Sequence, residues 1–365
     1  MTAKLVLENL KHRPMRSLLS ILLIGVPVTL ILCLVGLSHG FLEDSQRRTR
    51  GIGADVVVRP KGTSYLTLSG APIPQQMVGL LAGHPHVKLA MGVVNYPVQG
   101  VTLGATGVDL KQFDQMSGGF TYLHGGPFQG PDDVIIDQFY ADEQHAHVGD
   151  RISLLNKPWR VCGIIEGGKL AHIVFPLGVL QEKTSSTGNV SQIYLKLDDP
   201  ANTAAVVQGL KNLLPDYPIF SIAEFTSLIN VNNIPALKEF IIVIMAIGVI
   251  IGFAVVCLSM YMAVLQRTRE IGILKSLGAS QFFILRIILT EAVILGIGGT
   301  ILGIAMSFGA WWLIRTVEPA SIPMVIVPSW WPIAGVVTLI GSAFGALYPG
   351  ISAARHDTIE ALAYE

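Results

Sequence analysis

Of 365 residues, 51% are hydrophobic and only 14% charged, with 25 basic and 25 acidic side chains giving a formal net charge of zero. Mean hydropathy is +0.56. Soluble domains carry nearer a quarter charged residues, so the composition argues against an ordinary soluble domain, and the absence of a basic cluster argues against a nucleic-acid partner.

The apolar excess is concentrated in four runs, Ser17–Phe41, Lys238–Leu265, Phe282–Ile314 and Trp331–Ala353. Each is longer than the roughly 18 residues that mark a membrane-spanning candidate. The first run follows Lys4, Lys11, Arg13 and Arg16, as a signal peptide would. Its apolar core is too long for that, and no small-x-small cleavage site follows Leu37, so a span is expected. Pro27 should kink or loosen it. His39, at its outer mouth, is a candidate for touching a ligand such as haem.

Between the first two runs lies polar chain, about Glu43–Pro235, large enough for a core of its own. Strands are expected at Ala54–Arg59, Lys88–Val101, Asp133–Ile136 and Gln192–Leu197, and helices at Gln76–Ala82, after Ile136 to His145, and at Asn202–Leu214. Arg151–Leu155 and Trp159–Ile165 read as a hairpin about Asn156-Lys157-Pro158. The mixture is α+β.

Several features of this region suggest chemistry, and each has a plainer reading. Gly163–Lys169 has the glycine and lysine spacing of a phosphate-binding loop, but Leu170 stands where a Ser or Thr hydroxyl would hold magnesium. A glycine turn closing a hairpin is expected there instead. His84/His86 and His145/His147 place imidazoles two apart, yet neither pair has a nearby Cys, so surface histidines are expected and no metal site. Cys162 is the lone cysteine of the region, which leaves it without an intradomain disulfide partner. No GxSxG elbow or HExxH helix occurs, and no enzymatic active site is expected.

The second run, Lys238–Leu265, would extend about 42 Å as a helix, so it should tilt or continue as a stalk. After it, Gln266–Ala279 forms a charged, amphipathic turn and helix between two spans, a position suited to receiving force from a partner. In the third run Glu291 is an ionisable group near the membrane. Both an interfacial anchor and a packing or coupling role stand open for it. Gly36/Gly40, Gly248/Gly252, Gly299/Gly303 and Gly341/Gly345 give each span a GxxxG pair, which favours close helix packing, including at a dimer seam. Positive residues at the span ends place both termini and the 266–281 loop in the cytoplasm.

At this point the chain resembles the FtsX/MacB-type permeases of ABC transporters, whose relatives handle lipoproteins (LolC and LolE), haem (HrtB) or glycolipids (DevC). Gln266–Ala279 is similar to the family's R-E-I-G-x-L-[KR]-[AS]-L-G-A coupling-helix motif. Tyr348–Arg355 with Ile359–Leu362 is similar to its Y-P-x-x-x-A-x-R…x-E-A-L ending, and Glu291-Ala292 to the start of its third span. Asn9-Leu10, Arg16–Leu19 and Gly53–Asp55 agree more loosely.

The resemblance implies an α-helical membrane protein of four transmembrane helices, with an α+β extracytoplasmic domain inserted between helices 1 and 2. The implied division is 1–42 for the cytoplasmic segment and first helix, 43–235 for the external domain and 236–265 for the second helix and stalk. Residues 266–281 form the coupling helix, 282–315 the third helix, 316–330 an external loop, 331–353 the fourth helix and 354–365 a cytoplasmic tail. The protein would lie in the inner or plasma membrane, surrounded by lipid and paired with a second copy.

A separate cytosolic ATPase chain would bind the ATP and Mg, so the chain itself holds no cofactor. That ATPase would dock on Arg267, Arg269, Glu270, Ile271, Gly272, Leu274, Lys275, Leu277 and Gly278. The implied mechanism is mechanotransmission (type VII) that exports or extracts an amphipathic substrate, with a periplasmic adaptor among the partners considered. MacB carries a fused ATPase, not found in these residues, which leaves a MacB-like tripartite assembly open. An alternative is an FtsX-like subunit that activates an external cell-wall hydrolase without transport.

Overall fold

A computed structural model describes residues 14–62, 72–99, 103–230, 235–266 and 268–355. It opens with helix α1, Pro14–Gly51, which contains Pro27. The chain then enters a mixed region that begins with strand β1 (Val56–Val58), β2 (Ile73–Pro74), helix α2 (Gln76–Ala82) and the long strand β3 (Val87–Gln99). Next come β4 (Leu103–Val108), α3 (Leu110–Ser117), β5 (Tyr122–Gly125), β6 (Asp133–Asp137) and α4 (Gln138–Gln144). The hairpin β7 (Arg151–Leu154) and β8 (Lys157–Ile165) follows, then β9 (Ile173–Pro176), α5 (Leu177–Lys183), β10 (Asn189–Val190) and β11 (Gln192–Leu197). The region closes with α6 (Thr203–Leu213), β12 (Ile219–Ser221) and α7 (Ile222–Leu228). Four helices complete the described chain: α8 (Pro235–Gln266), α9 (Thr268–Ser276), α10 (Gln281–Val317) and α11 (Trp330–Arg355).

The chain divides into two compact units. One comprises Ser38–Pro235 with Ile314–Met324. Its main sheet runs β12-β1-β11-β3-β4-β9-β6-β8-β5, with β7 beside β8. β3 is the strand that joins the two halves. Its residues up to Val93 pair antiparallel with β11, and from Val94 onward it pairs with β4. Each half has its own core. Val56, Val58, Leu81, Ile193, Leu195 and Leu210 form one, and Ile136, Trp159, Val161, Ile173 and Phe175 the other. Trp159 packs edge-on against Phe175 at 4.9 Å, the geometry aromatic quadrupoles favour, and its Nε1 donates to Leu154 O at 2.8 Å.

The β7–β8 turn sits at Leu155 and Asn156, both at positive φ, as a two-residue I′-type hairpin requires. By contrast, Gly163–Lys169 does not close a hairpin. β8 pairs in parallel with β6, and the chain crosses past β6 to reach β9 on its far side. Glycine spacing alone could not distinguish a turn from a crossover, because both need permissive backbone.

The other unit comprises Met1–Leu37, Ala236–Leu313 and Val325–Glu365, within the described residues. Among the described residues, four helices are long and apolar enough to cross a membrane, within Ser17–Gly51, Lys238–Gln266, Gln281–Val317 and Trp330–Ala354. Ile24, Val256, Met260, Ile284, Ile288, Ala292, Leu295, Ala346 and Ala353 make its largest buried cluster.

Candidate functional site

The short helix α9 lies between two apolar spans and is built to stop sharply. Gly278 takes the left-handed conformation at φ +92°. Its N–H donates to Lys275 O at 2.9 Å, and Ala279 N donates to Leu274 O at 3.0 Å. This pair of bonds is a Schellman cap, and a glycine at that position avoids the Cβ penalty. Ser280 then caps α10, its Oγ accepting from Phe283 N at 3.2 Å.

Within α9, Gly272 is buried and Ile271 packs against the bundle's buried cluster. Leu274 and Lys275 are half-buried, whereas Ile273 is 45%, Leu277 79% and the following Phe282 74% exposed. α9 is therefore anchored on one side and presents apolar side chains on the other. Arg267 lies outside the described residues. Arg269 and Glu270 are placed on the helix by its backbone.

Glycines bring the long helices together along two seams. Between α1 and α10, a Cβ on Gly303 would come within 2.8 Å of Gly25 O, and one on Gly299 would collide with the side chain of Ile24. Thr29 Oγ1 bonds both Gly25 O and Gly303 O, at 2.9 and 3.1 Å. Between α8 and α11, a Cβ on Gly345 would lie 2.7 Å from Phe253 O, and one on Gly341 3.6 Å from Val249 O. Gly248 faces Ile31 across 3.1 Å, whereas Gly252 has no neighbour within 4 Å.

In the first pair, Gly40 meets a connector instead of a helix. Gly40 is pressed against the Pro323 carbonyl in the α10–α11 connector, and Gly36 O accepts from Val325 N at 3.2 Å. Glu291 is buried on the face of α10 that carries Ile288 and Leu295. His39 is half-buried.

In the unit comprising Ser38–Pro235, the Lys169 ammonium is already committed. Lys169 Nζ donates to Ser117 O and Gly119 O, at 3.2 and 2.5 Å, and Lys196 Nζ donates to Met116 O at 2.5 Å. Two ammonium groups at the C-terminus of α3 complement the negative end of its dipole. His86 Nδ1 lies 3.1 Å from Asp198 Oδ2, and His147 Nδ1 3.6 Å from Asp150 Oδ2. Among the described residues no three His, Cys, Asp or Glu side chains cluster as a metal site. Burial pushes the Cys162 thiol up to about 12, which leaves it unreactive as a nucleophile.

A buried ionic cluster that no sequence motif marks lies around Asp137. Arg48, near the end of α1, donates to Asp44 Oδ2 at 2.5 Å, Asp137 Oδ2 at 3.0 Å and Leu170 O at 3.2 Å. His172 Nδ1 lies 2.8 Å from the same Asp137 oxygen. Burial alone would raise the Asp137 carboxyl, but the His172 hydrogen bond and the Arg48 charge together hold it below its usual range. From sequence, Arg48 counts only as one of three arginines flanking the first span. Beyond Asp44, its partners Asp137, Leu170 and His172 lie 89, 122 and 124 positions away, a separation no local pattern reveals.

These elements define a chain with one compact unit of mixed strands and helices and another whose long apolar helices are of membrane-crossing length. Two family models match the sequence, MacB-like periplasmic core domain over residues 17–213 and FtsX-like permease C-terminal over 242–358. The chain belongs to the FtsX/MacB-type family of ABC transporter permeases. A relative named macrolide export ATP-binding/permease protein MacB, from Acinetobacter baylyi, is 24% identical over 99% of this chain and 59% of its own length. The chain thus spans about three-fifths of that relative. An uncharacterized ABC transporter permease from Bacillus subtilis, YknZ, is 30% identical over 63% of this chain and 61% of its own. The periplasmic region of MacB from Actinobacillus actinomycetemcomitans superposes with a TM-score of 0.38 at 15% identity, covering 49% of this chain and 94% of that one.

Proposed function

We propose that this chain is the permease of an ABC exporter that works by mechanotransmission, with ATP hydrolysed by a separate cytosolic ATPase docked on residues 266–279. The observation that carries this reading is α9. It is a capped helix between two spans, fixed by Ile271 and Gly272 and presenting Ile273 outward, with the exposed Leu277 just past its end and the exposed Phe282 at the start of α10. An exposed apolar patch on a helix anchored between membrane spans fits a groove on a partner.

In this scheme ATP and Mg belong to the ATPase, and both termini lie in the cytoplasm. The external domain, placed between the first two spans, is worked through α1 and α8. Two copies pair, and the load is an amphipathic molecule taken at the outer leaflet, with or without an adaptor. Names of the relatives support export, and the hydrolase-activating alternative has no such support.

Glu270→Ala and Gly272→Pro test the docking. Proline in the interior of α9 removes a helix hydrogen bond and costs about 3 kcal/mol locally. Both variants should insert and hold their external domain folded, yet lose ATP-dependent export while the ATPase still hydrolyses ATP. Wild-type export by either variant would rule out α9 as the docking element.

A further inference from the structure

Helix α4 of the external unit is seven residues long and is gripped at both ends. At its start Asp137 is the cap, its Oδ1 accepting from Tyr140 N at 3.0 Å while its Oδ2 accepts from Arg48 of α1. The Asp137 backbone N–H also donates to His172 O at 2.9 Å. Near its other end Glu143 holds the connector between α10 and α11 with three bonds. Its Oε2 accepts from Ala320 N at 3.0 Å and Ser321 N at 2.9 Å, and its Oε1 from Ser321 Oγ at 2.6 Å. Ala320 is buried in the same apolar core as Tyr140 and Ala141 of α4.

Charge-assisted bonds are about twice as strong as neutral ones, and three converge here on one carboxylate. The connector leaves α10 through the bond from Glu318 N to Ile314 O and closes a single turn with Ile322 N bonded to Glu318 O. A capped helix cannot stretch without breaking its own ladder. Its two ends therefore hold the top of α1 and the connector at a fixed separation.

We infer that α4 is a strut and Glu143 a positioning residue, making the connector at 318–323 move as one body with the Arg48 end of α1. The purpose assigned to this strut, carrying α1's motion into the transport cycle, rests on the permease reading above, but its existence does not. The plainer alternative is that Glu143 only satisfies two loop amides, in which case nothing done at Arg48 reaches the connector.

Hydrogen exchange on the full-length chain in lipid nanodiscs separates the two, with β8–β9 peptides as the folding control. Glu143→Gln should speed exchange at 318–323 about tenfold, the scale of losing one charged hydrogen bond. Arg48→Lys keeps the charge, loses the planar fork, and should also speed that segment although it does not touch it. The double variant should show less than the product of the two effects. If Arg48→Lys misfolds, Asp44→Asn, which frees one arm of Arg48, takes its place.

No change at 318–323 in the α1-end variant, or in Glu143→Gln, overturns the strut. With the ATPase and ATP present, Glu143→Gln should keep hydrolysis and lose export, and normal export by it would overturn the positioning role. A wild-type chain that exports nothing under ATP turnover would instead remove the permease reading and leave the exchange result to decide the strut.

Discussion

Asp137 touches the end of α1, the start of α4 and the residue before β9, so one carboxylate joins three segments remote in sequence. It is 1% exposed, and a charge so placed is tolerated only where partners replace water. Because its carboxyl titrates lower folded than unfolded, its contribution is complete above the ordinary carboxylate value near about pH 4. That contribution is lost as pH falls through the lowered folded value. We predict that thermal stability of the external domain stays level from neutrality to about pH 4 and then falls. Asp137→Asn should remove about 3 kcal/mol at neutral pH, since it takes away one of the two carboxylates that face the buried Arg48 guanidinium and leaves it with Asp44, and should flatten the acid-side fall. Scanning calorimetry from pH 7 down to pH 3 reads both effects, and an unaltered acid limb in Asp137→Asn would show that another group governs it.

At the scale of elements, the contrast lies between glycines that look alike in sequence. Gly345 has the Phe253 carbonyl against it, while Gly252 faces open space. A methyl group has nowhere to go in the first case, where overpacking costs about 1–3 kcal/mol. Gly345→Ala should therefore lower the melting temperature of detergent-solubilised single copies, and Gly252→Ala, which meets no atom of its own copy, should leave it unchanged or slightly raised, since alanine is the better helix former. Equal melting temperatures would mean that the α8–α11 seam yields freely.

The same contrast shows how much could be read in advance. The four apolar runs, the α2 and α6 helices and the β7–β8 hairpin were legible, because hydrophobic length and period-two alternation are local properties. Which glycines meet a neighbouring backbone was not, since every GxxxG pair has one spacing and only tertiary packing chooses the facing helix. Gly40 is the clearest case, having met the Pro323 carbonyl of a connector rather than a helix. The crossover at Gly163–Lys169 and the cluster around Arg48 depend on strand order and on contacts more than 80 positions apart, which periodicity does not encode.

For the whole molecule, the argument turns on surface left uncovered. Only 11% of the most apolar window of α8 is buried against its own chain, against 44% for α1 and 39% for α10 and for α11. Ile250 and Leu258 of α8 are each 65% exposed, and lipid covers such side chains as well as protein does. Apolarity alone therefore cannot drive pairing in a membrane, where association needs close backbone approach. Gly252 supplies that on α8, because it has nothing within 4 Å and so leaves a notch for a second helix. We predict that native mass spectrometry of the protein extracted from its own membranes finds two copies with two ATPase chains. Gly252→Leu, which fills the notch without touching the fold of one copy, should shift the population toward single copies, while Glu270→Ala should keep the pair and lose the ATPase. If Gly252→Leu pairs as wild type does, the two copies meet elsewhere than on α8. If Glu270→Ala loses its partner copy together with the ATPase, the ATPase holds the pair together and the helices alone do not.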